Sequence, residues 1–93
     1  EKSYKKAAFK LYSEGLKFYK EENYNEAVDR LLRSVKLADE EYFSDDCYYL
    51  LAYSEYYLGN KDNVRKYVEL LSQKYPESGY IKYANNLLEL MEK

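Results

Sequence analysis

Few residues in this chain could do chemistry. There is one cysteine, Cys47, and no histidine. Asp39, Glu40, Glu41, Asp45 and Asp46 place five carboxylates within eight positions. Lys2, Lys5, Lys6, Lys10, Lys17 and Lys20 stand against only Glu1 and Glu14 in the first twenty residues, a local charge of +4. Five of the fourteen tyrosines, Tyr48, Tyr49, Tyr53, Tyr56 and Tyr57, crowd into ten positions. Each pattern names a chemistry: a thiolate nucleophile, a cation site, an anion-binding face and an aromatic contact surface.

Three of the four weaken on inspection. A cysteine nucleophile needs a lowered pKa, and Asp45 and Asp46 beside Cys47 would raise it. A lone cysteine also excludes an intrachain disulfide framework and a multi-cysteine metal site. Cys47 therefore reads as a small, half-buried packing residue near the start of a helix. With no histidine, no glycine-rich phosphate loop and no serine–base pairing, neither catalysis nor a cofactor is expected. The carboxylates lack the spacing and the turn glycine of a calcium loop; some of them suit the positive end of the helix that follows. The lysines have Tyr4, Phe9 and Tyr12 between them, a pattern that could touch RNA or a membrane surface. Yet none of these cations is an arginine, and the chain carries a net charge of −2, with −7 over residues 21–62. A solvated outer face is the expectation, with no nucleic acid. The polarity could also stack molecules head to tail as a homo-oligomer. No apolar run approaches the ~20 residues of a membrane span.

The elements that must position the tyrosines are helical. Three glycines and one proline in 93 residues leave long stretches without breakers. Five amphipathic segments follow from the spacing of apolar residues. The first, about 3–20, aligns Ala8, Leu11, Gly15 and Phe18. The second, about 24–38, aligns Ala27, Val28, Leu31, Leu32 and Val35 behind a capping box at Asn23 and Glu26. The third, about 45–58, is apolar on most of its circumference. The fourth, about 61–74, carries Val64, Tyr67, Val68 and Leu71 after a Gly59-Asn60 stop-and-cap. The fifth, about 79–92, carries Tyr80, Ile81, Ala84, Leu87, Leu88 and Met91. The chain opens at Glu1 rather than Met, which predicts a piece of a longer protein.

The segments repeat. A shift of 37 positions places Tyr12 on Tyr49, Gly15 on Ala52, Tyr19 on Tyr56, Asn23 on Asn60, Ala27 on Val64 and Leu31 on Val68. Such a period belongs to stacked helical hairpins. Leu11, Gly15 and Phe18, followed by the run Asn23-Tyr24-Asn25-Glu26-Ala27 and by Leu31, resemble a tetratricopeptide repeat. In the second unit Tyr48, Leu51, Ala52, Val64, Val68 and Pro76 fit the same slots. Glu14, Glu55, Val64 and Asp39 depart from the pattern, and each unit is about three residues longer than the common 34. The resemblance covers about 8–76. It implies an all-α, right-handed superhelix of antiparallel hairpins in one domain, with repeat 1 at about 8–44, repeat 2 at about 45–78 and a capping or partial-repeat helix at about 79–92.

At ~100° per residue, Tyr49, Tyr53, Tyr56 and Tyr57 share about a third of a helix circumference, while Tyr48 points into the packing. The resemblance places that stripe in a concave groove lined by the first helix of each hairpin: Phe9, Tyr12, Leu16 and Tyr19, then Asp46, Tyr49, Tyr53, Tyr56 and Tyr57, then Tyr83, Asn86 and Leu90. Tyr75 and Tyr80 read as hinge packing. A tyrosine-lined groove suits a peptide or one apolar helix face of a protein partner. The Lys, Asn and Arg clamp by which some family members hold a terminal carboxylate is absent, since Tyr12, Leu16, Tyr49 and Tyr53 occupy its slots. The leading expectation is a scaffold or adaptor module. The alternative is a fragment of a longer solenoid that mediates self-association or docks flanking domains. The junction Lys74-Tyr75-Pro76-Glu77-Ser78-Gly79-Tyr80 is similar to one in bacterial envelope proteins of this family, which makes both cytoplasm and periplasm open compartments.

Overall fold

The computed structural model describes residues 2–93, with side chains from Tyr4 onward. It holds five helices: α1 (Lys2–Lys20), α2 (Tyr24–Leu37), α3 (Ser44–Leu58), α4 (Lys61–Lys74) and α5 (Ile81–Met91). There is no strand among the described residues. No helix of the described residues is long and apolar enough to cross a membrane. The segments expected from periodicity match these helices closely. The fifth begins later, because Tyr80 takes the residue position before the helix.

Consecutive helices run antiparallel. Late in α2, Ser34 donates through Oγ to the carbonyl of Ala8 early in α1, at 2.7 Å. Midway along α2, the Arg30 guanidinium lies over the Phe18 ring late in α1, at 5.2 Å. Gly15 permits the close crossing between these points: a Cβ there would sit 2.6 Å from Leu31 Cγ. The core runs through Ala8, Ala27, Leu31, Leu51, Ala52, Val64, Leu71, Ala84 and Leu87, all fully buried. Helix α3 contacts all four other helices, which is why its sequence is apolar almost all round.

The 37-residue shift holds at the backbone. Asn23 N–H donates to Phe18 O and Asn60 N–H to Glu55 O, both at 2.9 Å. Glu22 (φ 62°) and Gly59 (φ 82°) occupy the same left-handed position between them. Such an ending suits glycine, yet the first unit uses glutamate. Asn60 stands before α4 as expected, but its side chain does not cap the helix. It donates instead to the buried carboxylate of Glu55 at 2.7 Å, and Asn63 adds a second bond at 3.3 Å. The glutamate that departs from the repeat pattern thus staples the α3–α4 turn. At Asn23 the side chain does accept from Glu26 N–H, at a long 3.5 Å. The Glu26 carboxylate turns to Arg30 at 2.7 Å, so only half of the capping box forms.

Helix α5 and the residue before it repeat contacts that α3 and its lead-in make one shift earlier. Phe43 stacks on Tyr12 with centroids 5.3 Å apart, and its counterpart Tyr80 stacks on Tyr49 at 4.7 Å. Buried Cys47 and Leu50 are matched by buried Ala84 and Leu87. Helices α1, α3 and α5 therefore lie in a parallel row. Both outer faces of the stack carry polar residues at positions matching buried ones in α3, although Leu90, the counterpart of Tyr53, is exposed. The α1 positions corresponding to buried Cys47, Leu50 and Ser54 are Lys10, Ser13 and Lys17, all exposed. The positions in and just after α5 that correspond to buried Tyr48, Ala52 and Glu55 are Asn85, Glu89 and Glu92, again exposed.

Candidate functional site

The stripe of Phe9, Tyr12, Leu16, Tyr19, Tyr49, Tyr53, Tyr56, Tyr57, Tyr83 and Asn86 is divided by the structure into packed and open residues. Tyr12 and Tyr49 are half-buried under the Phe43 and Tyr80 rings. Tyr53 reaches across to α5, where its hydroxyl donates to the Tyr83 carbonyl at 3.3 Å. Its ring meets Tyr49 edge-on at 5.0 Å. Leu16, Tyr19 and Tyr56 are also half-buried, while Phe9 (40%), Tyr57 (54%), Tyr83 (47%) and Asn86 are exposed. Leu90 is exposed as well.

The rings form chains rather than isolated contacts. Tyr19 meets Tyr24 at 5.7 Å, Tyr24 stacks on Tyr57 at 4.7 Å, and Tyr57 lies 5.4 Å from Tyr56 and 6.5 Å from Tyr53. Burial, then the neighbouring tyrosines led by Tyr57, push the Tyr19 hydroxyl well above its ordinary pKa. The surface therefore presents rings held by one another. Such rings offer contact area with little entropy left to lose.

Two carboxylates accept from tyrosine hydroxyls, one beneath this surface and one at the α2–α3 junction, and their pKa values shift in opposite directions. Asp46 accepts from the Tyr12 hydroxyl at 2.5 Å. Burial raises its pKa above the ordinary aspartate value, Asp45 adds to this, and the bonds from Tyr12 and Tyr80 oppose it. Asp39 stands where the family pattern closes on proline. It accepts from Tyr48 at 2.6 Å, from Lys74 at 3.2 Å and from Tyr75. Burial again pushes upward, but these partners and the Glu40 amide outweigh it and hold Asp39 below the ordinary value. Burial and the Asp39 carboxylate push Tyr75 up to about 12. Ser78 donates to Asp45 at 2.7 Å and fastens the second junction. Tyr48, Tyr75 and Tyr80 thus pack against the core.

Cys47 is fully buried rather than half-buried. Desolvation drives its thiol to about 12 against the relief from Ser34, whose Oγ lies 3.8 Å away. A protonated, sealed thiol is a packing group.

Sequence reasoning missed Phe43 and Tyr42, and it placed Lys5 and Lys6 on a solvated outer face. With Phe9 they line a cavity of about 370 Å³ at the amino-terminal end of the row. Phe43 was recoverable, since the 37-residue shift lays it on Tyr80. Tyr42 had no such signal, because its counterpart is Gly79. Compared with protein-family models, curated proteins and solved structures, the chain finds no match.

Proposed function

We propose that this chain is a protein-interaction module of tetratricopeptide type, a right-handed superhelical scaffold that holds a peptide or a helix of a partner along the face of α1, α3 and α5. The observation that carries this reading is the parallel row of first helices, one repeat apart, with rings fixed by their neighbours and Phe9, Tyr57 and Tyr83 left uncovered. Clustered exposed aromatics on a rigid face are the usual anchors of an interface. The polar outer faces at Lys10, Ser13 and Lys17, and at Asn85, Glu89 and Glu92, weigh against the alternative of docking further repeats. The Lys74–Tyr80 junction makes a bacterial envelope-assembly protein the first partner to try.

The test separates exposed from packed rings. Tyr57→Ala and Tyr83→Ala should leave melting nearly unchanged and weaken a partner isolated by pull-down by about 2 kcal/mol each. Tyr49→Ala, which removes the ring under Tyr80, should lower the melting temperature. Unchanged affinity in both exposed-ring variants would sink the assignment.

A further inference from the structure

At the amino-terminal end of the row the surface chemistry changes. Lys5, Lys6 and Phe9 of α1 face Tyr42 and Phe43 of the α2–α3 linker across the cavity of about 370 Å³. Its apolar walls support one another. Phe43 is buried and receives Phe9 at 5.4 Å and Tyr42 at 5.2 Å, both edge-on. Phe9 also contacts Tyr12 at 5.8 Å, so these walls continue into the tyrosine stripe. Although Tyr42 belongs to this cluster, it is 75% exposed, more than any other large apolar side chain among the described residues.

The two lysines give the cavity a sign. No carboxylate lines it. Lys5 makes one loose pair with the half-buried Glu41 at 3.6 Å, and Lys6 has no ion pair among the described residues. On the other side of Tyr42 lies a second cavity, of about 420 Å³, whose lining includes Glu41, Asp45 and Glu77. Its one cation, Lys74, is already engaged by Asp39. Tyr42 thus divides a cationic aromatic pocket from an acidic one.

We propose that the pocket of Lys5, Lys6, Phe9, Tyr42 and Phe43 is an anchor subsite for one apolar side chain of a peptide partner with an Asp or Glu side chain directly beside it. This rests on the reading of the α1, α3 and α5 face as a peptide surface, and it fixes the charge of the ligand and the end at which it anchors. A cavity of this size accommodates a large side chain and its flanking backbone. Apolar walls lower the local dielectric and strengthen the pull of an ammonium on a neighbouring carboxylate. A polyanion such as RNA is a poorer fit. Its phosphates would run onto the acidic pocket next door and the −7 charge of residues 21–62, and polyanion binding needs many cations along one track.

A phage library of random dodecapeptides, displayed without a free carboxyl terminus, tests this. The wild-type protein should enrich peptides with Asp or Glu within two positions of Phe, Leu, Ile or Met. The best of them, resynthesised, should bind the Lys5→Glu/Lys6→Glu variant about tenfold more weakly and should lose at least as much against Phe9→Ala/Tyr42→Ala. Its Asp→Asn counterpart should not distinguish wild type from the lysine variant. Lys5 and Lys6 are exposed, so the reversal variant should keep its melting temperature, whereas Phe9→Ala/Tyr42→Ala removes two rings from buried Phe43 and should lower it modestly; if the reversal variant melts early, Lys6→Gln with the same two peptides makes the same comparison. Enrichment without an acidic bias, insensitive to the lysines but lost in Tyr57→Ala/Tyr83→Ala, would overturn the subsite and leave the peptide face standing. No enrichment at all would overturn both. Tighter binding of a single-stranded oligonucleotide than of any recovered peptide would overturn the subsite in favour of nucleic acid.

Discussion

Asp39 and Asp46 are seven positions apart in sequence, and both accept bonds from tyrosine hydroxyls. Their effects on stability run in opposite directions with pH. Asp39 is held below the ordinary aspartate value, so its contribution is complete above that value, about 3.9, and is lost as pH falls through the folded value. Asp46 is held above it, so folding gains when the group is protonated, and that gain is lost as pH rises through the raised value. Asp39→Asn is therefore expected to destabilise at pH 7, with the deficit shrinking on acidification. Asp46→Asn, which keeps an oxygen for Tyr12, is expected to match or exceed wild-type stability at pH 7 and to lose that advantage by about pH 3. Urea denaturation of both variants at the two pH values checks the signs; two variants moving in the same direction would contradict this account. Ser54 is simpler. Its hydroxyl is fully buried and has no hydrogen-bond partner. An unsatisfied buried polar group costs about 1–3 kcal/mol, so Ser54→Ala is expected to stabilise by about 1 kcal/mol in the same assay. A loss would mean that the hydroxyl has a partner in solution.

The helices themselves were legible in the sequence because breakers are rare and the apolar spacing is regular. Repetition was legible because Gly15, Ala27 and Leu31 meet Ala52, Val64 and Val68 at one shift. What did not read through was side-chain choice at junctions. Asn60 looks like a cap, but a buried carboxylate at Glu55 outbids the helix end for its amide. Tyr49 and Tyr53 look like a ligand surface, yet each also crosses to α5 or its leading residue, a contact visible only once α5 is seen to pack beside α3. The crossing of α1 and α2 yields a sharper expectation. Gly15→Ala would bring a methyl to 2.6 Å from Leu31 Cγ and 2.8 Å from Cδ2, inside a sealed core. Overpacking of this kind costs about 1–3 kcal/mol, more than the ~1 kcal/mol by which Ala favours a helix over Gly. The second unit solves the same crossing with Ala52 and Val68, moving one carbon from one side to the other. Gly15→Ala combined with Leu31→Val should therefore recover most of the loss. Equal destabilisation in the single and double variants, by chemical denaturation, would show that the crossing is not the cause.

At the scale of the whole molecule, the five helices make a stack of 43 × 28 × 18 Å. A stack of repeats has two ends, and each end is an apolar face unless its sequence says otherwise. Here both do. Where α3 turns Cys47, Leu50, Leu51 and Ser54 inward, α1 carries Lys10, Ser13, Glu14 and Lys17. Where α3 buries Tyr48, Ala52 and Glu55, α5 carries Asn85, Glu89 and Glu92. Burying these charges against another unit would cost more than the contact returns, so the polar faces should keep molecules from joining end to end. Restoring the α3 pattern on α1, by Lys10→Ala, Glu14→Leu and Lys17→Ala together, should convert that face into one resembling the surface α3 offers to its preceding hairpin. Sedimentation velocity over a hundredfold range of concentration reads the result. The wild-type chain is expected to sediment as a monomer throughout, and the triple variant to associate as concentration rises. End-to-end association of the wild type, abolished by reversing the charges of Lys10 and Lys17, would mean that the polar face is itself an interface and that the basic start of the chain pairs with acidic residues of a second copy.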